Sequence, residues 1–451
     1  MTLEEQLAKQ LRKEPALNFL NEFLADNPEA RFFLVGGAVR DTLLGRHMRE
    51  LDYDFVVSGL EAERLEQWLE QHGDVDFVGR DFGVFKFMPS GFSHEHIEFI
   101  DIALPRTEAP HTTSSGGYRE FEIQSDPSLP IEKDLERRDF TINAIAFDVQ
   151  NGTLIDPFNG QVDLKNRIIR TVGESEQRFN EDLSRILRAV RFASELHFTI
   201  EEQTLQTIQK KAGDLNLTRT TEDRTEFVVP RETIGAELGK ALDRAPASAI
   251  DWLGRAHLMD ALFPEIQRVI DVDPTYVFPL AQLKERHIMV AVSLLMRALP
   301  PDSIEEALAF TGLNSLPKES PRRIDGETVK WVVSRLHPPL TIDDVLQMPG
   351  ADFEKWFFNG KGSVLLEVMT QIGHADICTA VRDRRHAIET RWLIEPGEKV
   401  PLLLSGDDVL TTGIPQGPKI RKLLDDCRSK QLAGEILSRE EALAWLKQQT
   451  K

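Results

Sequence analysis

The sequence predicts an α+β head over residues 31–160 followed by an elongated all-α remainder. Three observations carry this. Short runs rich in Phe, Val and Ile (RFFLV, YDFVVSG, FGVFKFM and HIEFIDIAL) crowd the stretch from Arg31 to Leu104 and read as strands. A helical segment, EAERLEQWLEQHG, sits among them and stops at Gly73. After about residue 160 the β signal fades, and QVDLKNRIIRTV, EDLSRILRAVRFASEL, EEQTLQTIQKKAGDL and PRETIGAELGKALDRA carry apolar residues at helical spacing.

The element order divides the chain into an N-terminal helical extension (1–30), the head (31–160), a helical neck (161–265) and a helical body and tail (266–451). MTLEEQLAKQLRKEPALNFL reads as an amphipathic helix, because it has no apolar core of a signal peptide. RTEAPHTTSSGGYREFEIQSDPSLP, residues 106–130, is rich in Ser, Thr, Gly and Pro and reads as a long functional loop, placed to gate a conformational step. SLPKESPRRIDGE, residues 315–327, reads as a connector.

With 451 residues, 28% charged and 41% hydrophobic, the composition is that of an ordinary globular chain with room for several domains. No run of about eighteen apolar residues predicts a membrane span. Two cysteines, Cys378 and Cys427, exclude a disulfide framework and point to a reducing cytoplasm. A net charge of −20 argues against wholesale salt-driven nucleic-acid binding, while leaving room for a local basic groove.

Asp52 and Asp54 pose the first chemical question. On a strand, residues i and i+2 face one side, so Tyr53 and Phe55 enter the core and the two carboxylates project together. Like charges held that close resist double ionisation unless a cation lies between them. Oxygen-only ligands suit Mg²⁺. The ordinary alternative is a solvated strand edge. Asp101, in another strand-like run, offers a third carboxylate, with Glu98 as its competitor.

LVGGAVRD places Gly36 and Gly37 between a strand and a helix beginning near Ala38, with Arg40 and Asp41 in its first turn. Such a corner lets a backbone approach phosphate oxygens. It is neither a G-x-G-x-x-G turn nor a P-loop. In DLERRDFTINAIAFD, Arg137 and Arg138 adjoin Asp139, with Asn143 one helical turn on. Forked guanidiniums suit phosphate, and Asp and Asn suit sugar hydroxyls. In NEDLSRILRAVRFASEL, Leu183, Ile186, Leu187 and Val190 share one helical face, while Asp182, Arg185, Arg188 and Arg191 occupy the other. Asp182 and Arg185 present the acceptors and donors that read a base edge. A solvated charged face is the plainer reading. His94 and His96 have no partner at metal-ligand spacing, and Phe32, Phe33, Phe55, Phe85 and Phe87 suit core strand positions.

The order LVGGAVRDTLLG, DYDFVV, DIALPRTE, DLERRDFTINAIA, DPFNG, EDLSRILRAVRFA resembles the class II tRNA nucleotidyltransferase and bacterial poly(A) polymerase family. The likeness is strong over residues 31–200 and continues more weakly through VPRETIGAEL, WLGRAHLMDALFPEI and the C-terminal helices. It implies a polymerase-beta-like nucleotidyltransferase sheet followed by helical neck, body and tail. It also implies addition of CMP, AMP or both, from CTP or ATP with Mg²⁺, to the 3′ CCA end of tRNA without a nucleic-acid template, as a CCA-, CC-only or A-only enzyme. Under the resemblance, Asp52 and Asp54 match the metal pair, with Asp101 as third carboxylate. Gly36, Gly37 and Arg40 match the triphosphate loop. Arg138, Asp139 and Asn143 match the ribose and phosphate motif, and Asp182 and Arg185 match the protein template, with Arg188 close by.

This chain reads Glu181-Asp182-Leu183-Ser184-Arg185 where the family usually has Glu-Asp-Pro-Leu-Arg, a change expected to alter the helix start. The His-Asp pair of a phosphohydrolase is not found behind the neck. Three rivals follow: a poly(A) polymerase, which a strongly basic tail would favour and LSREEALAWLKQQTK does not supply; a silent RNA-binding protein, against which the intact acidic pair argues; and a dehydrogenase, for which the glycine turn is wrong.

Overall fold

The computed structural model describes residues 2–46, 53–77, 84–93, 99–110, 118, 121–220, 224–283, 287–316, 320, 323–395 and 398–449. Two compact units emerge, Met1–Leu262 and Phe263–Lys451.

The first unit opens with α1 (Leu3–Lys13) and α2 (Phe19–Asp26). A capping box at Thr2 and Glu5 starts α1, and Leu7 and Leu11 form its buried stripe. The head then runs through β1 (Arg31–Val35), α3 (Gly37–Leu43), β2 (Asp54–Ser58), α4 (Ala62–His72), β3 (Gly73–Phe77), β4 (Val84–Pro89) and β5 (Ile100–Ala103). Next come β6 (Arg106–Pro110), β7 (Phe121–Ser125), α5 (Ile131–Glu136), β8 (Ala146–Asp148) and β9 (Thr153–Ile155).

Seven of these strands form one mixed sheet in the order β3-β4-β5-β2-β1-β8-β9. Alternation along the strands divides its side chains between two covered faces. On one face Phe32, Phe55 and Phe87 meet Phe19 and Phe23 of α2, with ring centroids 4.8 Å apart for Phe23 and Phe32 and 5.0 Å for Phe19 and Phe87. The N-terminal helices are therefore part of the head's core. On the other face Phe33, Val35, Val56 and Ala146 pack with Ile131 and Leu135 of α5. Phe32, Phe33, Phe55, Phe85 and Phe87 are all buried, as their strand positions predict.

Two parts differ from expectation. Residues 106–130 are not one open loop, because β6 and β7 pair antiparallel from Arg106↔Ser125 to Pro110↔Phe121. The polar composition hid a two-stranded ribbon that stands apart from the seven-stranded sheet. Its stretch Ser114–Gly117, like His94, His96, Glu98 and Asp52, lies outside the described residues.

Beyond the sheet follow α6 (Gly160–Asn166), β10 (Ile168–Ile169), α7 (Ser175–Glu181), α8 (Ser184–Leu196), β11 (Thr199–Ile200), α9 (Glu202–Lys211), α10 (Arg231–Arg244) and α11 (Pro246–Arg255). The second difference is here: the segment read as one helix from Asn180 breaks at Asp182, whose backbone is extended (φ −152°, ψ 103°). Leu183 takes φ −63°, close to the angle a proline ring imposes, so the helix start survives the family's missing proline. The polar face of α8 is not solvated either. Arg185 and Arg191 are buried, and Arg191 donates to Glu237 of α10 at 2.5 Å.

In the second unit every described regular element is helical. Ile288–Met296 is apolar all round and wholly interior except for Met289. Towards the C-terminus, Leu404, Val409, Ile414, Leu423, Cys427 and Leu446 form a separate apolar cluster. Arg428 braces it nearby, donating to Glu354 and to the carbonyls of Val400 and Pro401. Among the described residues, no helix is long and apolar enough to cross a membrane.

Candidate active site

The site is assembled at one end of the sheet. β2 and β5 run parallel with Asp54 in register with Asp101. Val56 and Ala103, two residues on, share their face, so both carboxylates stand on the α5 side, at the margin of the apolar cluster. Both are part-exposed. Lys86, opposite Asp101 on β4, donates to its Oδ1 at 2.8 Å. Tyr53, next to Asp54, is buried and its hydroxyl is pushed up to about 12, by burial first and the Glu14 charge second.

Val35 pairs with Asp54, so β1 delivers its C-terminal turn to the same place. Gly36 has φ +71°, a conformation glycine adopts at little cost. A Cβ there would lie 3.3 Å from both Asp54 Oδ2 and Arg138 Nη1. The turn thus runs between a carboxylate and a guanidinium. Arg40 is turned inward: it grips Asp41 with two donors at 2.8 and 2.9 Å, and Nη1 donates to Asn143 Oδ1 at 2.9 Å.

Arg138 is held from α5. Asp134, fully buried, accepts from Arg137 at 2.6 Å and from Arg138 at 3.1 Å. Burial would push the Asp134 carboxyl up, but the two guanidiniums outweigh it and hold it below the usual range. The sequence reading did not single out Asp134, which sits one helical turn upstream of both arginines.

Asp139 joins the head to α8. Its Oδ1 accepts from Asn143 Nδ2 at 3.0 Å and from the Phe140 N–H at 2.8 Å, while Oδ2 accepts from Arg188 at 2.8 Å. Burial alone would raise its pKa, yet the Arg188 charge and the Asn143 hydrogen bond bring it down to about 2. Arg188 is correspondingly pushed up by Asp139. A continuous polar chain therefore runs from Asp41 through Arg40, Asn143 and Asp139 to Arg188. Phe192, one turn beyond Arg188, lies under the guanidiniums of Arg40 (5.0 Å), Arg188 (5.3 Å) and Arg191 (4.1 Å). The sequence reading passed over Phe192, although its spacing from Arg188 was visible.

Asp182 closes the break between α7 and α8. Its Oδ1 accepts from the Ser184 hydroxyl at 2.5 Å and the Ser184 N–H at 2.8 Å. Its backbone bridges Tyr118, whose hydroxyl lies 2.9 Å from Thr233 Oγ1 of α10. Arg185 donates to Glu181 at 2.8 Å and to the Arg137 carbonyl at 3.1 Å, so the helix and the RRD segment hold each other. Glu181 also receives Arg178 and was not foreseen.

The described members of the predicted set therefore fall into one neighbourhood, in two linked groups: Asp54, Asp101, Gly36 and Arg138 at the sheet end, and Arg40, Asn143, Asp139, Arg188, Asp182 and Arg185 along the head–α8 seam. The carboxylate pair is an oxygen-only donor set suited to a hard divalent cation. Among the described residues no group of three metal-type ligands occurs, and Asp52, which the sequence pairs with Asp54, lies outside them.

Residues 32–170 match the poly(A) polymerase head domain family. The CCA-adding enzyme of Bacillus stearothermophilus, solved in complex with CTP, superposes with a TM-score of 0.69 over 97% of this chain and 98% of that one, at 24% identity. These define the class: a nucleotidyltransferase head carried on a helical remainder. The multifunctional CCA protein of Stenotrophomonas maltophilia strain R551-3 is 34% identical over 323 residues, 68% of this chain and 72% of the relative. That of strain K279a is 35% identical over 303 residues, 65% and 67% of the two chains. The chain belongs to the class II tRNA nucleotidyltransferase and bacterial poly(A) polymerase family, whose chemistry uses a divalent metal.

Proposed function

We propose that the chain adds CMP and AMP, from CTP and ATP, to the 3′ CCA end of tRNA in the cytoplasm, releasing pyrophosphate. The observation that carries this is the placement of Asp54 and Asp101 in register beside Gly36 and Arg138, with Asp139 tying that corner to α8. The names of the relatives and of the structural neighbours point the same way. Two cysteines, both buried and free, suit a reducing compartment.

Asp54, Asp101 and, from the sequence, Asp52 would hold Mg²⁺, which when bound lowers the pKa of an attacking hydroxyl and offsets charge on the leaving oxygens. The remaining work belongs to the chain itself. The Gly36–Gly37 turn admits the triphosphate against the backbone, and Arg138, aimed by Asp134, meets its oxygens. Arg40 braces that turn through Asp41 and Asn143, and Asp139 and Asn143 offer polar groups to the ribose. Asp182 and Arg185, fixed at the α7–α8 break, present acceptor and donors to the base, with Arg188 holding the seam. Residues 31–160 are the catalytic head, 161–265 the neck, and 266–451 hold RNA.

The test is incubation of the full chain with Mg²⁺, each labelled nucleoside triphosphate in turn, and tRNAs ending before the first C, after C and after CC. CMP, CMP and AMP incorporation respectively is expected. A homopolymeric A tail on unrelated RNA would replace this reading with poly(A) synthesis, and incorporation of nothing would end it.

A further inference from the structure

In the second unit Arg335 is distinguished among the described arginines by a buried guanidinium nitrogen that has no hydrogen bond. Arg428 has Glu354 and Arg385 has Glu389. Arg335 has no carboxylate partner among the described residues. Its Nη1 donates to Ser334 Oγ at 2.6 Å and its Nε is buried without a hydrogen bond. Two indoles flank the guanidinium instead, Trp331 at 4.4 Å and Trp356 at 4.8 Å, with the two rings steeply inclined at 70°. Burial with no compensating negative charge lowers the Arg335 pKa, so an incoming anion would relieve a standing cost.

Arg335 and Trp356 line a cleft of about 500 Å³ whose other walls include Pro338, Leu340, Met348 and Asp344. The walls are mostly apolar, with one cation, one carboxylate and the Ser334 hydroxyl as their polar groups. The Asp344 carboxylate is committed on one oxygen to Thr341, through that residue's N–H at 2.8 Å and hydroxyl at 2.6 Å. It leaves an acceptor at the rim for a base edge that carries N–H donors.

From this geometry we propose that the Arg335–Trp356 cleft takes one unpaired nucleotide of the RNA substrate, its base lying on apolar and indole surface and its phosphate meeting the guanidinium. The volume accommodates a nucleotide. Stacking on an aromatic face with a cation at the phosphate is the sequence-tolerant way to hold single-stranded RNA. On a chain with net charge −20, one uncompensated guanidinium beside a stacking surface provides local attraction where the overall field repels. This rests on the reading of the chain as an enzyme acting on RNA.

The experiment measures binding of fluorescein-labelled tRNA lacking its CCA end to the full chain by anisotropy, without CTP, across a range of salt. Arg335→Gln and Trp356→Ala are each expected to weaken binding about tenfold. Arg335→Gln should also flatten the plot of log affinity against log salt by about one phosphate contact. KM for CTP stays unchanged. Should Trp356→Ala lose its thermal transition, Trp356→Phe, which keeps a smaller ring, is expected to give an intermediate loss. Unaltered affinity and salt slope in Arg335→Gln would overturn the proposal. So would displacement of the tRNA by millimolar AMP, since the cleft would then be a free-nucleotide site. A wild type that binds tRNA through Arg335 but incorporates no CMP would refute the proposed activity and leave the cleft assignment standing.

Discussion

Two pairs of carboxylates in the active-site neighbourhood are treated differently by the fold. Asp54 and Asp101 are side by side and part-exposed, and Asp101 is paired with a part-exposed lysine, Lys86. Asp139 and Asp182 are buried: Asp139 accepts from Phe140, Asn143 and Arg188, and Asp182 accepts from both the N–H and the hydroxyl of Ser184. A lysine–carboxylate pair with both members about a third in water is weak and can be displaced. Asp139, buried with an arginine and an asparagine, cannot exchange partners without leaving a buried charge behind. The first pair is built to take a new counter-ion, and the second to keep the seam between head and α8 in one shape.

The comparison breaks most visibly at Asp54. Asp54→Ala should lower nucleotide incorporation on the order of a thousandfold, because several kcal/mol of transition-state charge stabilisation would be lost. Its melting temperature should stay level, since removing one of two crowded like charges relieves the folded state. Turnover near normal at saturating Mg²⁺, measured with labelled CTP, would put the cation elsewhere.

At the locked pair the ranking of stability and activity reverses. Arg188→Ala strands Asp139 and is expected to cost roughly 2–4 kcal/mol in denaturant unfolding, towards the lower side because part of Arg188 stays in water. The same pair sets an acid response. The Asp139 carboxyl titrates at about 2 when folded against 3.8 ordinarily, so its contribution is complete above the higher value and is lost as pH falls through the lower one. Unfolding midpoints recorded between pH 4 and 2 should therefore fall more steeply in the wild type than in Asp139→Asn.

Arg185→Ala tests whether the locked seam also reads bases. Loss of a bidentate contact removes about 1–3 kcal/mol of discrimination, so UMP and GMP misincorporation should rise about tenfold or more while KM for triphosphate moves little. Unchanged selectivity among the four nucleotides would leave Arg185 as a brace only. The smallest effect is expected at Ser184→Ala, which removes one hydroxyl from Asp182 and should cost about 1 kcal/mol of stability. A rise in misincorporation without that stability loss would show that aiming Asp182 matters more than anchoring it.

How legible this was in the sequence depended on whether a residue's neighbours were local. β1, β2, β4 and β5 announced themselves through Phe, Val and Ile, since strands covered on both faces are apolar throughout. β3, with the sequence GDVDF, alternates weakly and was missed, as was the β6–β7 ribbon, whose polar residues carry no core signal. The motif residues were found by type and spacing, but their partners were not. Lys86, Asp134, Glu181 and Phe192 look like ordinary helix or strand residues until the fold sets them beside Asp101, Arg138, Arg185 and Arg40. The break at Asp182 was masked by uninterrupted apolar periodicity on both sides of it.

The parallel pairing of β2 with β5 also bears on how the chain is made. α4, β3 and β4 lie between the two strands, and a parallel pair cannot be closed by a tight turn. Its formation waits on distant segments, and the closure entropy must be met before any contact offsets it. A nascent polypeptide that has emerged only as far as β4 carries Asp54 without Asp101, and β1 lacks its second neighbour until β8 arrives. Asp101 thereby joins Asp54 only once the surrounding sheet exists to hold the two charges side by side. A truncated product ending before Ile100 should emerge without the Asp54–Asp101 pair and with no capacity to extend RNA on its own.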